Sequence, residues 1–141
     1  MIKAGVYGAS GRVGRLLIDD IAKTDGIEVT VIHIRKELNF PLADGITVTN
    51  DAAAFLEKCD IVIDFSLPEA AQTLLEVALK NPKPIVSGTT GFDTHQLNLL
   101  KTVSEQMPVL HATNMSLGVA MLSKLVNTAA QELEGFDIEV G

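Results

Sequence analysis

The sequence predicts an α/β fold: a doubly wound parallel sheet with helices on both faces, in three layers (α/β/α). Short apolar runs rich in β-branched residues alternate along the chain with longer segments whose apolar residues have helical spacing. A glycine-rich turn also joins the first apolar run to the first helical segment. Strand–helix alternation makes the strands parallel, so their carboxyl ends meet at one edge of the sheet, where ligands of such folds bind.

The first half of the chain predicts two strands and two helices. Residues 2–7 form a short apolar run that ends in glycine, as a buried parallel strand does. A helix follows within 11–26, closed by a glycine, and its predicted buried face consists of Val13, Leu16, Leu17 and Ile21. Residues 27–34 are β-branched and predict a second strand. Residues 35–45 are polar and contain proline and glycine, which predicts a loop, and 50–58 predict a short helix.

The second half repeats the pattern. A strand is predicted at 60–66, and a helix at 67–81 has Pro68 in its first turn. A strand within 83–91 precedes a helix at 93–106, and a strand within 107–114 precedes a long helix at 116–135 capped by Ser116. Residues 136–141 predict the start of one more strand.

Composition limits the class of protein. The chain has 141 residues, 47% hydrophobic and 21% charged, which is the size and composition of one globular domain. A net charge of −7 argues against nucleic-acid or anionic-membrane partners. The single cysteine, Cys59, excludes an internal disulfide and a cysteine-built metal site. We find no secretory signal and no membrane-spanning run in the sequence, so we expect a soluble cytoplasmic domain.

The turn "GASGRVG" predicts binding of a dinucleotide in a Rossmann-like fold. Gly8 would permit the sharp turn, Gly11 would let a pyrophosphate approach the backbone, and Gly14 would let the helix pack closely on the sheet. The helix N-terminus would then face the phosphates. A tight turn with close packing and no ligand is the alternative.

The residues after the second strand indicate the cofactor. An NAD site usually has an acidic residue there, whereas this chain has Arg35 and Lys36, which suit a 2′-phosphate, with Arg12 as a third cation. NADPH is therefore the preferred cofactor, and Glu37 leaves NADH as an alternative. The other interpretation is that both cations begin a solvated loop.

Two further strand ends carry polar residues. "SGTTGF" offers the hydroxyls of Thr89 and Thr90 to an amide, with Gly88 allowing close approach, and "HATNMSLG" offers Asn114 and Ser116. Local turn and capping chemistry is the alternative for each.

"GASGRVG", "VIDFSLPEA", "SGTTGF" and "ATNMSLGVAML", in this order over nearly the whole chain, resemble bacterial dihydrodipicolinate reductase. The resemblance implies a reductase of lysine and diaminopimelate biosynthesis that uses NADPH or NADH on a cyclic dicarboxylate. It places 8–13 at the phosphates of the cofactor and Arg35 at the adenosine ribose, with Lys36 as a helper. It places 88–90 and 112–115 around the nicotinamide. It also places 64–66 in the lining of the cofactor groove. The cofactor-binding residues it implies are Gly8, Ala9, Ser10, Gly11, Arg12, Val13, Arg35, Lys36, Gly88, Thr89, Thr90, Ala112, Thr113, Asn114 and Met115.

The chain departs from the family's pattern at its end. Members continue beyond "DIEV" into a histidine- and lysine-containing segment and a second domain that binds substrate and builds a homotetramer. We therefore expect residues 1–141 to be a dinucleotide-binding domain, part of a longer protein, with no catalytic residue of its own and no turnover alone. Of the histidines His33, His95 and His111, only His111 lies near the expected edge, as a structural residue or a general acid.

Two other classes of protein remain at this point. A non-catalytic NADPH-binding regulatory or sensor module would use the same turn. A semialdehyde-type dehydrogenase would need a reactive thiol, whereas Cys59 has only Lys58 as a basic neighbour and is expected to be buried and inert.

Overall fold

The computed structural model describes residues 1–133, 135–137 and 139. Within that part of the chain the strands are β1 (Ile2–Tyr7), β2 (Ile27–His33), β3 (Thr47–Thr49), β4 (Ile61–Asp64), β5 (Ile85–Ser87) and β6 (Val109–His111). The helices are α1 (Arg12–Ile21), α2 (Ala52–Leu56), α3 (Pro68–Ala78), α4 (Thr94–Ser104) and α5 (Leu117–Glu132).

The strands form one parallel sheet in the order β3-β2-β1-β4-β5-β6. The chain moves outward from β1 to β3, crosses back, and moves outward the other way from β4 to β6. The strand order therefore reverses between β1 and β4, which opens a crevice at the carboxyl ends of these two strands. The predicted doubly wound α/β fold is confirmed.

Two apolar clusters cover the faces of the sheet. One joins the sheet to α2, α3 and α4 through side chains such as Phe55, Leu74 and Val103. The other joins it to α1 through Ile18 and Ile21. Each strand of the centre is thus buried on both sides, which explains the continuous apolar runs of β1 and β2.

The buried face of α1 differs from the prediction. Val13 and Leu16 are 40% and 56% exposed, against the prediction. Ile21 is buried and Leu17 is partly buried, as predicted, and Gly14 and Ile18 are buried in addition. The cause is Gly14, since a Cβ there would lie 2.6 Å from the Cα of Ala9. Because of this close packing, Gly14 faces the glycine turn, and the side chain of Val13 faces outward.

Other local predictions agree in most places. Pro68 begins α3, and Ser116 caps α5 by accepting a hydrogen bond from the Val119 amide at 3.4 Å. The predicted loop at 35–45 is followed by β3, which the sequence analysis missed. Of the strand expected over 136–141, residues 138, 140 and 141 lie outside the described part of the chain, and residues 136, 137 and 139 are not in a strand.

Helix α5 has a different environment from the others. None of the residues in its described range is buried, and Leu122, Leu125 and Val126 are 56–60% exposed. The helix therefore adds little to the core. None of the described helices is long and apolar enough to cross a membrane.

Candidate functional site

The glycine turn lies at the crevice between β1 and β4. Gly8 has φ +83°, a backbone conformation that side chains disfavour, and a Cβ there would lie 2.7 Å from the Phe65 carbonyl oxygen. The Ala9 amide donates to the His33 carbonyl at 3.2 Å, which ties the turn to the end of β2. Gly11 is the N-cap of α1 and has no side chain to accept from the first turn. The predicted roles of Gly8 in turning and Gly14 in close packing are confirmed, and the start of α1 is suited to an anion.

Two pockets flank this turn and share Ser10 and Gly11. The first, of about 300 Å³, is lined by Gly8, Ser10, Gly11, His33, Arg35, Lys36, Phe65, Ser66, Leu67 and Ala70. The second, of about 540 Å³, is lined by Ser10, Gly11, Arg12, Arg15, Leu16, Asp19, Asn39 and Phe40. The structure thus brings the glycine turn, the end of β2 and the loop after β4 together, with cations on both sides of the turn.

Arg15 extends this cationic region. Its guanidinium carbon lies 5.2 Å from the centre of the Phe40 ring, a cation–π contact between α1 and the 35–45 loop. Neither residue was predicted from the sequence to belong to the site. Helical spacing from Arg12 would have suggested Arg15, but nothing local indicates that Phe40 folds back onto it.

Asp64 ends β4 and is 1% exposed. Its Oδ1 accepts from the Ser66 amide and hydroxyl at 3.1 and 2.6 Å. Its Oδ2 accepts from the hydroxyls of Ser87 and Thr89 at 2.7 and 2.9 Å. All of residues 64–66 were expected to line the cofactor groove. Phe65 and Ser66 do line the first pocket, but Asp64 does not, because its carboxylate faces these four donors.

The loop after β5 lies directly beyond this carboxylate. Thr89 is 2% exposed and its hydroxyl is engaged by Asp64 and by the Ser66 amide at 3.1 Å, so its side chain is not free to bind an amide from a ligand. Thr90 is exposed. A Cβ on Gly88 would overlap the Phe65 ring, so glycine is needed there for packing within the protein.

The segment after β6 continues along the same edge. His111 Nε2 donates to the Thr89 carbonyl at 2.9 Å, and its ring stacks on Phe92 with centroids 5.1 Å apart. The Asn114 side-chain oxygen accepts from the Ser116 amide at 2.8 Å. Residues 113–115 are exposed, and Ala112 is half-buried. The predicted residues at 88–90 and 112–115 share the carboxyl edge with the glycine turn but lie beyond the pocket beside it.

The remaining candidate side chains have structural surroundings. His33 is 4% exposed and stacks on Tyr7 with centroids 3.9 Å apart, and Phe55 meets its ring edge-on. His95 is exposed on α4. Cys59 is 2% exposed, and burial raises the pKa of its thiol to about 11, which makes it an unreactive group as expected.

We predict that His33 makes the fold less stable in acid. Burial, aided by the charge of Arg35 and opposed by the Asn50 backbone, Asp51 and Asp64, lowers the pKa of His33 below the ordinary value of 6.5. The unfolded chain then binds the proton more readily, so stability present above pH 6.5 is lost as pH falls through the folded-state pKa. Urea unfolding of the wild type and of His33→Phe from pH 7.5 to 5.5 checks this. An equal pH dependence in both proteins would contradict it.

Comparison with known proteins identifies the family. The family model described as dihydrodipicolinate reductase, N-terminus, matches residues 2–115. The 4-hydroxy-tetrahydrodipicolinate reductase of Sulfurimonas denitrificans is 57% identical over 140 residues, and that of Wolinella succinogenes is 54% identical over 141. Each alignment covers 99% of this chain and 55% of the relative, so the chain spans about half the length of the curated relatives it matches.

Solved structures show the same fold. A dipicolinate-bound dihydrodipicolinate reductase from Paenisporosarcina sp. TG-14 superposes with a TM-score of 0.79 at 22% identity, covering 92% of this chain and 54% of that one. The homoserine dehydrogenase of S. aureus gives a TM-score of 0.65 at 19% identity, over 78% of this chain and 31% of that one. These two likenesses concern the fold alone. On the family match and the two close relatives, this chain belongs to the dihydrodipicolinate reductase family, of which it matches the N-terminal part.

Proposed function

We propose that residues 1–141 are the dinucleotide-binding domain of an NAD(P)H-dependent oxidoreductase that reduces 4-hydroxy-tetrahydrodipicolinate to tetrahydrodipicolinate. The observation that carries this proposal is the glycine turn at the strand-order reversal, with an adjoining pocket that reaches Arg35 and Lys36. The names of the close relatives support the substrate and the role in lysine and diaminopimelate biosynthesis. We place the enzyme in the cytoplasm and its complete form in a homotetramer.

The chain's part in the reaction is to bind and orient the cofactor. The backbone of 8–13 would hold the pyrophosphate at the start of α1, where unpaired N–H groups and the helix dipole favour negative charge. The loops after β5 and β6, 88–90 and 112–115, would position the nicotinamide on the same edge. The bound cofactor supplies the hydride. Positioning of this kind lowers the barrier by fixing the reacting partners in one geometry.

We assign no catalytic residue to this chain. The resemblance to the family implies that a segment outside residues 1–141 holds the substrate carboxylates, and the chain covers only 55% of its relatives. His111, the histidine nearest the edge, is engaged with the Thr89 carbonyl and Phe92. We therefore expect the 141 residues to bind cofactor without turning over substrate.

The charges around the two pockets favour NADPH over NADH. Arg35 and Lys36 line the first pocket and Arg12 lines the second, so a 2′-phosphate near the turn would meet cations from both sides. Charge-assisted hydrogen bonds to a phosphate are stronger than those to a ribose hydroxyl. Glu37 follows these cations and is exposed, and it could still accept from a ribose diol.

Calorimetric titration of this chain with NADPH and with NADH at matched salt tests the proposal. We expect both to bind, with NADPH tighter by about tenfold, since one added charge-assisted contact contributes about 1.4 kcal/mol. Absence of binding by both cofactors would contradict the proposal. Equal affinities would contradict only the preference for NADPH.

A further inference from the structure

The buried carboxylate of Asp64 has no role in the site as described so far. It ends β4 in the interior, where a charged group is costly unless hydrogen bonds satisfy it. Both of its oxygens are satisfied by donors from two adjacent strand ends: Ser66 after β4, Ser87 at the end of β5, and Thr89 after β5. An apolar residue at this place would leave these donors without an acceptor, so the carboxylate holds the ends of β4 and β5 in one arrangement.

Thr89 is the residue of the loop after β5 that this network holds from two neighbouring strands. Its hydroxyl donates to Asp64 Oδ2 and accepts from the Ser66 amide, while its carbonyl accepts from His111 Nε2 at the end of β6. The preceding amide, of Gly88, donates to the Asp64 carbonyl at 2.8 Å. The loop after β5 is therefore held from β4 on one side and from β6 on the other.

We propose that Asp64 is a positioning residue that fixes the 88–91 loop in the orientation that binds the nicotinamide half of the cofactor. This inference rests on the proposed function, because it assumes that the edge holds a dinucleotide. Asp64 acts through Ser87 and Thr89, since at 1% exposure its own carboxylate cannot reach a ligand. Its effect should be largest on the nicotinamide half, because Oδ2 holds Ser87 and Thr89, which lie on the side of β4 away from the glycine turn. A smaller effect on the adenosine half is expected through Ser66, which Oδ1 holds and which lines the first pocket.

The test compares two ligands on the wild type and on Asp64→Asn. NADPH carries both halves of the cofactor, and adenosine 2′,5′-bisphosphate carries only the adenosine end. The Asp64 carboxylate accepts four hydrogen bonds. In the asparagine variant one of the two acceptor oxygens becomes an NH2 donor, so part of this network is lost. We expect affinity for NADPH to fall about tenfold, the equivalent of one charge-assisted hydrogen bond, while affinity for the bisphosphate stays within about twofold.

Milder variants keep the inference testable if Asp64→Asn does not fold. Thr89→Val retains the shape and loses the hydroxyl, whereas Thr89→Ser retains the hydroxyl. We expect the valine variant to lose affinity for NADPH selectively and the serine variant to stay near the wild type. Thr30→Val is the matched control, because the Thr30 hydroxyl donates to the Lys58 carbonyl at 2.6 Å, away from this loop.

The outcomes separate the two proposals. Equal losses for both ligands, or unchanged affinity for NADPH in Asp64→Asn and Thr89→Val, would overturn the positioning role while leaving the cofactor site intact. Failure of the wild type to bind either ligand would overturn the proposed function and this inference with it.

Discussion

Gly8→Ala is expected to destabilise the fold by about 3 kcal/mol and to abolish cofactor binding. The residue has φ +83°, which costs an alanine about 1–2 kcal/mol. The added Cβ would also lie 2.7 Å from the Phe65 carbonyl oxygen and 2.9 Å from the Ser66 Cα. These are backbone atoms of the neighbouring strand end, so the overlap is relieved only by moving β1 away from β4. Urea unfolding and NADPH titration measure the two effects.

Gly26→Ala is the matched control for this substitution. Gly26 has nearly the same backbone conformation, φ +86°, but a Cβ there would meet nothing within 4 Å. Its cost should be the conformational strain alone, about 1 kcal/mol, with binding unchanged. If Gly8→Ala lowers the free energy of unfolding by no more than Gly26→Ala, the ends of β1 and β4 do not approach as closely as described.

Replacing Arg35 and Lys36 together by alanine is expected to weaken NADPH binding about 30-fold, since removing two exposed cations from a phosphate costs about 2 kcal/mol. NADH affinity should change by less than about twofold, because NADH lacks the 2′-phosphate. The preference for NADPH should also weaken with rising salt in the wild type, since both side chains are exposed.

Lys101→Ala on α4 provides the control for net charge, because it removes an exposed cation outside both pockets. It should leave both affinities unchanged. If the double variant weakens NADPH and NADH equally, the two cations would act on a group that both cofactors share, and the specificity argument would fail.

The sequence predicted the fold well because its signals are local. Apolar runs such as 2–7 and 27–34 belong to strands buried on both faces, and Pro68 begins α3 as expected. Gly26 was expected to close the first helix, but α1 ends at Ile21 and Gly26 lies directly before β2. Strand β3 was missed because it has only three residues, "TVT", at the edge of the sheet. The face of α1 was only half right, with Leu17 and Ile21 correct and Val13 and Leu16 wrong, because Gly14 packs on Ala9 and apolar spacing alone gives no weight to a glycine.

The site was less predictable than the fold. The glycine turn and the residues after β2 could be located, since each directly follows a strand. The burial of Thr89 could not, because it depends on Asp64 of another strand. A polar residue at the end of an apolar run, as in Asp64 and Ser87, is a signal of such pairing, but it does not identify the partner. The contact between Arg15 and Phe40 likewise depends on how the 35–45 loop folds back.

We propose that the carboxyl edge of the sheet binds a dinucleotide. Amide chemical-shift changes in the isotope-labelled chain on addition of NADPH test it most directly, since each residue reports separately. We predict the largest changes at 8–13, 35–36, 65–70, 88–91 and 112–115. Changes concentrated instead around the pocket at the opposite edge, lined by residues such as Met1, Ile27 and Ala43, would contradict the account.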